Sequence, residues 1–285
     1  MGTRGLYGFR KNGIDKCTYN HWDSYPSCLG STVVEFCKNH TIEEMNYIFD
    51  KIVLVDENST PTEKQIEECI ENGYSDFSVG SGAQTDWYCL LRNCQGDLEC
   101  LAKAENHAYM IDGIDFIKDS LYCEYAYIIN LDDKVLEFYE GFQNTPQKGN
   151  RYGIDERKGF VKGYYPCKLS GTFPLNEIYD VDKIIEMMNL GENAEEILEL
   201  VKDNSNFNLT PFEARDIFEE IGGNKKIIAI YESLDEAAEH EARELGYLTD
   251  NNKRYFNLDL YGKDMCKNNN YMGLEASTRV VCYED

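Results

Sequence analysis

Between Asn176 and Asp250 the chain carries 20 acidic residues against 6 basic ones. That stretch holds a net charge of −14, more than half of the −24 of the 285-residue chain. The residues before it hold 27 acids and 17 bases, and those after it hold 5 of each. Carboxylates are rarely buried unless paired. The segment must therefore form elements with one apolar face and one solvated face. Its pattern is helical. In YESLDEAAEHEARELGYL, Leu234, Ala237, Ala238, Ala242 and Leu245 recur at helical spacing and make one stripe, while Asp235, Glu236, Glu239, Glu241 and Glu244 cover the remainder. Asp235 and Glu236 fall in the first turn, where the helix dipole favours anions, and Glu239 is placed to pair with Arg243 four residues on.

Further helices are expected around it. VDKIIEMMNL ends at Gly191, Asn193 to Glu196 opens a second helix, and Thr210-Pro211-Phe212-Glu213 opens a third that Gly222-Gly223 stops. The first half reads differently. Asn12-Gly13 between two aromatic-rich runs predicts a hairpin. YCEYAYIINLDDKVLEFYEGF predicts another, with Asp132-Asp133 near its turn. Thr41 and Glu44 form a capping box, Thr60-Pro61-Thr62-Glu63 starts a helix that Asn72-Gly73 ends, and two more helices are expected near 86–94 and 97–108. The chain is thus expected to be α+β. A mixed domain of hairpins and helices spans 1–145, a linker or irregular excursion spans 146–175, and an acidic, mainly helical domain spans 176–285.

Composition excludes several classes. At 42% hydrophobic residues the chain can bury a core. Its negative charge disfavours direct contact with nucleic acid or anionic lipid and favours a basic protein surface. No early stretch pairs a basic start with a long apolar run, so neither a secretory signal nor a membrane span is expected. The 11 cysteines are odd in number, scattered, and lack zinc-ligand spacing. They read as reduced thiols of a cytoplasmic protein. Whether Cys266 or Cys282 bridges subunits is open, as is oligomeric state, a homo-oligomer included.

Motifs for chemistry are sparse. There is no GxGxxG, Walker loop, HExxH, GxSxG or EF-hand, and no cofactor or metal is expected. His21 and Asp23, with Cys28 close by, are the residue types of a Cys/His hydrolase or amidotransferase-like enzyme, because a thiolate needs a base and the base an orienter. The competing reading is that His21, Trp22, Asp23, Tyr25 and Pro26 lock a tight turn, with Trp22 and Tyr25 as core or interface anchors. His240 lies four residues after Glu236, where a pair would form. An assembly protein that wraps a partner through aromatic side chains is a third reading, given 21 Tyr, 13 Phe and 2 Trp.

Two stretches carry resemblances. Tyr231-Glu232-Ser233, Gly246-Tyr247-Leu248, Tyr255-Phe256, Asp259, Tyr261 and Lys263-Asp264 resemble the last domain of ArdA-type antirestriction proteins, over residues 205–265 or about a fifth of the chain. Lys263 stands where that family usually has Arg. The family consists of elongated acidic DNA mimics that occupy the DNA groove of type I restriction enzymes. The opening GTRG and the later HWDSYP are similar to those of uncharacterised phage and prophage proteins. The resemblances imply a phage or mobile-element anti-defence protein rather than an enzyme, working in the host bacterial cytoplasm. Its partner would be a host defence nuclease or restriction complex with a basic DNA-binding surface. The expected contact residues are Glu195, Glu196, Glu199, Glu219, Glu220, Asp235, Glu236, Glu239, Glu241 and Glu244. Duplex DNA carries one charge per roughly 1.7 Å of axis, a line that surface carboxylates imitate.

Overall fold

A computed structural model of the chain describes residues 2–156, 161–191, 193–221, 226–268, 271–274 and 277–284. The backbone divides into two compact units, Met1–Glu192 and Asn193–Asp285. Each combines sheet with helix, so the chain is α+β, as expected.

In chain order the first unit holds β1 (Gly5–Lys11), β2 (Ile14–Asn20), α1 (Ser31–Asn39), α2 (Ile42–Lys51), β3 (Ile52–Val55), α3 (Glu63–Glu71), α4 (Trp87–Leu90), α5 (Leu98–Lys103), β4 (Ala108–Ile111), β5 (Tyr125–Asn130), β6 (Val135–Glu140), β7 (Lys168–Pro174) and α6 (Val181–Leu190). Five strands form one sheet in the order β2-β1-β5-β6-β7. Both expected hairpins are present, and β1 joins them by running parallel to β5. Asn12 and Gly13 adopt φ of 52° and 75°, the left-handed pair that a two-residue hairpin requires. Asp132 holds that turn by accepting the N–H groups of Asn12 (2.6 Å) and Gly13 (2.9 Å). These two donors keep its carboxyl below the usual range.

The sheet buries both faces. Tyr7, Phe9, Tyr127, Ile129, Leu136 and Phe138 pack in one cluster with Val33 and Phe36 of α1, Met45 and Ile48 of α2, and Met188 of α6. Leu6, Cys17, Ala126, Ile128 and Tyr139 pack on the other side with Ile117, Cys123 and Cys167. Alternation along each strand produces this division.

Four expectations for this half need correction. Residues 146–175 are not a linker: the described residues before Lys168 make the irregular excursion, with Arg151 in a two-pronged ion pair with buried Glu137 (2.8 and 2.5 Å), but Lys168–Pro174 is the fifth strand. Helix α6 packs against α1, so the boundary falls at 192/193 and not at 175/176. Charge marks what must face water, not which segments pack together. The helix expected over 97–108 stops at Lys103, and Ala108–Ile111 pairs in parallel with β3 instead. Finally, Thr62 caps α3 with Gln65 as its reciprocal partner, leaving Thr60 and Pro61 outside the helix.

The second unit holds α7 (Ala194–Asp203), α8 (Pro211–Ile221), β8 (Lys226–Tyr231), α9 (Leu234–Glu244), α10 (Leu258–Asn268), β9 (Tyr271–Gly273) and β10 (Val280–Glu284). Its strands form an antiparallel sheet in the order β8-β10-β9. The caps are where the residues predict: Ser233 accepts Glu236 N–H (3.2 Å), and Thr210 accepts Glu213 N–H (3.2 Å). Ala237, Ala238 and Ala242 are wholly buried, and α10 packs on α9. A Cβ on Gly262 would lie 2.8 Å from Leu234, so only glycine permits that approach. Leu245, at 55% exposure, lies outside the buried stripe. Gly222-Gly223 lie outside the described residues. Among those described, no helix is long and apolar enough to cross a membrane.

Candidate functional site

Eight of the ten expected contact carboxylates are exposed: Glu195, Glu196 and Glu199 on α7, Glu219 and Glu220 on α8, and Asp235, Glu236 and Glu244 on α9. Three helices therefore present acid to solvent. Of these eight, only Glu219 has an ion-pair partner among the described residues, Arg215 at 3.9 Å. Such spacing concentrates negative potential, since like charges lack local cations to neutralise them.

Glu239 and Glu241 do not fit that surface. Glu239 accepts Lys253 Nζ (2.6 Å) and Arg243 (2.9 and 3.0 Å), which hold its carboxyl below the usual range. Its charge is compensated inside the unit. Glu241 is half-buried, and burial together with its carboxylate pushes up the Tyr261 hydroxyl and the Cys266 thiol. It faces the packing side of α9. Helical spacing assigned both residues to a polar face, but a cation from the 3-10 turn at Lys253–Tyr255 and the approach of α10 are tertiary events.

The charge is also less concentrated than the sequence window suggests. The second unit holds 20 acidic and 10 basic residues, net −10, and the first holds 32 and 18, net −14. Arg279 illustrates how cations from the C-terminal stretch return to the acidic helices. It meets Glu213 (3.4 Å) at the start of α8 and Glu232 (3.2 Å) just before α9. Burial pushes the Glu213 carboxyl up, but Thr210 and Arg279 outweigh it and hold it low.

The His21 region forms a locked turn. Tyr19 Oη and His21 Nδ1 are 2.6 Å apart, Asn20 donates to Ser24 Oγ (2.8 Å), and Tyr127 Oη donates to the Ser24 carbonyl (2.9 Å). Asp23, at φ 49°, accepts Tyr25 Oη (2.9 Å). Cys28 is exposed in a π-helical turn, Pro26–Gly30. No hydrogen bond among the described residues joins His21 to Asp23 or to Cys28, so the thiol–imidazole–carboxylate relay is not assembled. Trp22 is not a core anchor either, being 57% exposed. His240 meets Tyr231 Oη (3.1 Å) rather than Glu236. Seven of the eleven cysteines are buried.

His21 and Trp22 instead edge a pocket of about 300 Å³. One wall is Tyr19, His21 and Trp22, from the end of β2 and the turn after it. Trp87 and Tyr88 of α4 and Tyr109 of β4 form another part of its lining. Tyr7, Leu91, Leu101 and Met110 also line it, with Glu57, Arg92 and Gln95 as its charged and amide groups. Sequence reasoning missed this cavity because its walls lie some 65 residues apart. The available signal was that both tryptophans of the chain sit in turn-rich segments. No family model matches the chain, and no curated protein or solved structure matches it either.

Proposed function

We propose that the second unit is an acidic protein-binding module that occupies the DNA-binding surface of a host defence nuclease or restriction complex, as an anti-defence DNA mimic of phage or mobile-element origin acting in the host cytoplasm. The supporting observation is the set of eight exposed carboxylates on α7, α8 and α9, seven of them with no ion-pair partner among the described residues. A protein groove lined with Lys and Arg for phosphate meets the same charge there without bases to read. The resemblance to ArdA-type proteins over residues 205–265 supports the same reading. Glu239 and Glu241 drop out of the contact set, the first compensated by Arg243 and Lys253, the second half-buried. The hydrolase alternative has less support, because His21, Asp23 and Cys28 each bond elsewhere or face solvent.

The test is charge reversal. Replacing Glu195, Glu196, Glu199, Asp235 and Glu244 by Lys together should abolish protection of DNA from a susceptible restriction system while circular dichroism stays unchanged. Binding of the unaltered chain should weaken steeply between low and physiological salt. Full protection by the folded five-site variant would refute charge mimicry.

A further inference from the structure

The pocket lies wholly within the first unit and is built as a small-molecule site. Its inner polar atoms are already paired, and its accessible rings are those of Trp22 and Tyr88. Tyr7, 2% exposed, donates to the Cys94 carbonyl (3.0 Å) and accepts Gly96 N–H (2.9 Å). Trp87 Nε1, on a ring 1% exposed, donates to Ser59 Oγ (3.0 Å), and Tyr109 Oη donates to Glu68. The inner rings are therefore packed and their polar atoms satisfied. At the mouth Trp22 and Tyr88 remain 57% and 42% exposed. An exposed tryptophan beside a cavity is a common mark of a binding surface.

The polar complement is small and of mixed sign. Glu57 is exposed and makes no hydrogen bond or ion pair among the described residues. Arg92 Nη1 donates to Gln95 Oε1 (3.2 Å), which leaves the other guanidinium donors and the Gln95 amide N–H groups for a guest. Nδ1 of His21 is engaged by Tyr19, so Nε2 is the ring atom left to interact. Acceptor, donor and imidazole beside exposed aromatic rings match a planar heterocycle that has both N–H groups and ring nitrogens. A volume of about 300 Å³ lies at the small end of ligand sites. One arginine, on a chain of net charge −24, is a poor host for phosphate.

We propose that this pocket binds an uncharged nitrogen heterocycle of nucleobase or nucleoside size, stacked on the exposed rings of Trp22 and Tyr88. The two tryptophans of the chain both line the pocket, so intrinsic fluorescence reports on it directly. The full chain, excited at the red edge of tryptophan absorption, would be titrated with adenosine, guanosine, cytidine and uridine, with adenosine 5′-monophosphate, and with choline. Saturable quenching by at least one nucleoside is expected below about 1 mM. Trp22→Ala, which removes an exposed ring and keeps Trp87 as reporter, should weaken that binding by about tenfold, in line with the loss of one stacking partner. The monophosphate should bind more weakly than adenosine. The proposal is overturned if no nucleoside saturates, if choline saturates where nucleosides do not, if the monophosphate binds as well as the nucleoside, or if Trp22→Ala leaves nucleoside affinity unchanged.

Discussion

The two units solve the same problem, an excess of carboxylates, in opposite ways. The first unit gives several of its carboxylates structural partners. Asp132 closes a hairpin turn, Glu68 serves His107 and Tyr109, and Glu137 sits 4% exposed between Arg151, Tyr139 and Asn130. The second unit leaves most of its expected contact acids in water and gathers Ala237, Met265 and Val280 into a small cluster beneath them. A carboxylate built into a network stabilises one conformation, whereas one held in solvent keeps its charge for a partner. The first arrangement suits a scaffold with a cavity, and the second suits an electrostatic docking face.

The sharpest way to break this comparison is Arg151→Ala. It leaves the Glu137 charge buried without its cation, which should cost about 3–5 kcal/mol. Chemical denaturation followed at the first unit would show a lower midpoint. A loss no larger than that of a surface pair, under about 1 kcal/mol, would mean that the first unit also treats its acids as solvated groups.

A smaller effect is expected from Gly262→Val. The added atoms meet Leu234 and Ala238, and overpacking of that kind costs about 1–3 kcal/mol. Hydrogen exchange would place the loss in α9 and α10 and leave β1 and β5 protected, if the units respond independently. Loss of protection in both units would show that they unfold together.

The smallest expected effect is that of acid. Asp132 is held below the usual carboxylate range by the Gly13 and Asn12 amides, and Glu68 by the Tyr109 hydroxyl first and His107 after burial's opposing push. A carboxyl with a depressed folded value adds stability above its unfolded value and loses it as pH falls through the folded one. The first unit should thus lose amide protection around Asn12 and Gly13 as pH drops below the ordinary carboxylate range. In the second unit Glu213 carries the corresponding loss at the start of α8, where, against the push of burial, Thr210 and Arg279 hold its carboxyl low. Comparing protection factors at pH 7 and in acid would sharpen the distinction. A larger acid loss in the second unit would reverse it.

Local signals were legible and distant ones were not. Asn12-Gly13 sets a turn because the residues themselves tolerate positive φ. Thr41 and Glu44 cap α2 because the reciprocal bonds span only three residues. The same logic misplaced the start of α3, since Thr60 and Thr62 both stand three residues before a Glu or Gln-type partner and only packing chooses between them. It also missed β4, because a four-residue strand is too short for its period to compete with a helical reading.

The amino-acid order by itself determined the hairpins, the caps of α2, α8 and α9, and the exposed acids of α7 to α9, because each depends on neighbours within one or two turns of chain. Tertiary structure alone decided that β1 pairs with β5 across more than a hundred residues, that Lys253 reaches Glu239, that Glu241 turns inward, and that Trp22 and Trp87 face one cavity. Those outcomes depend on which surfaces exclude water together, and side chains far apart in sequence carry no local record of that choice.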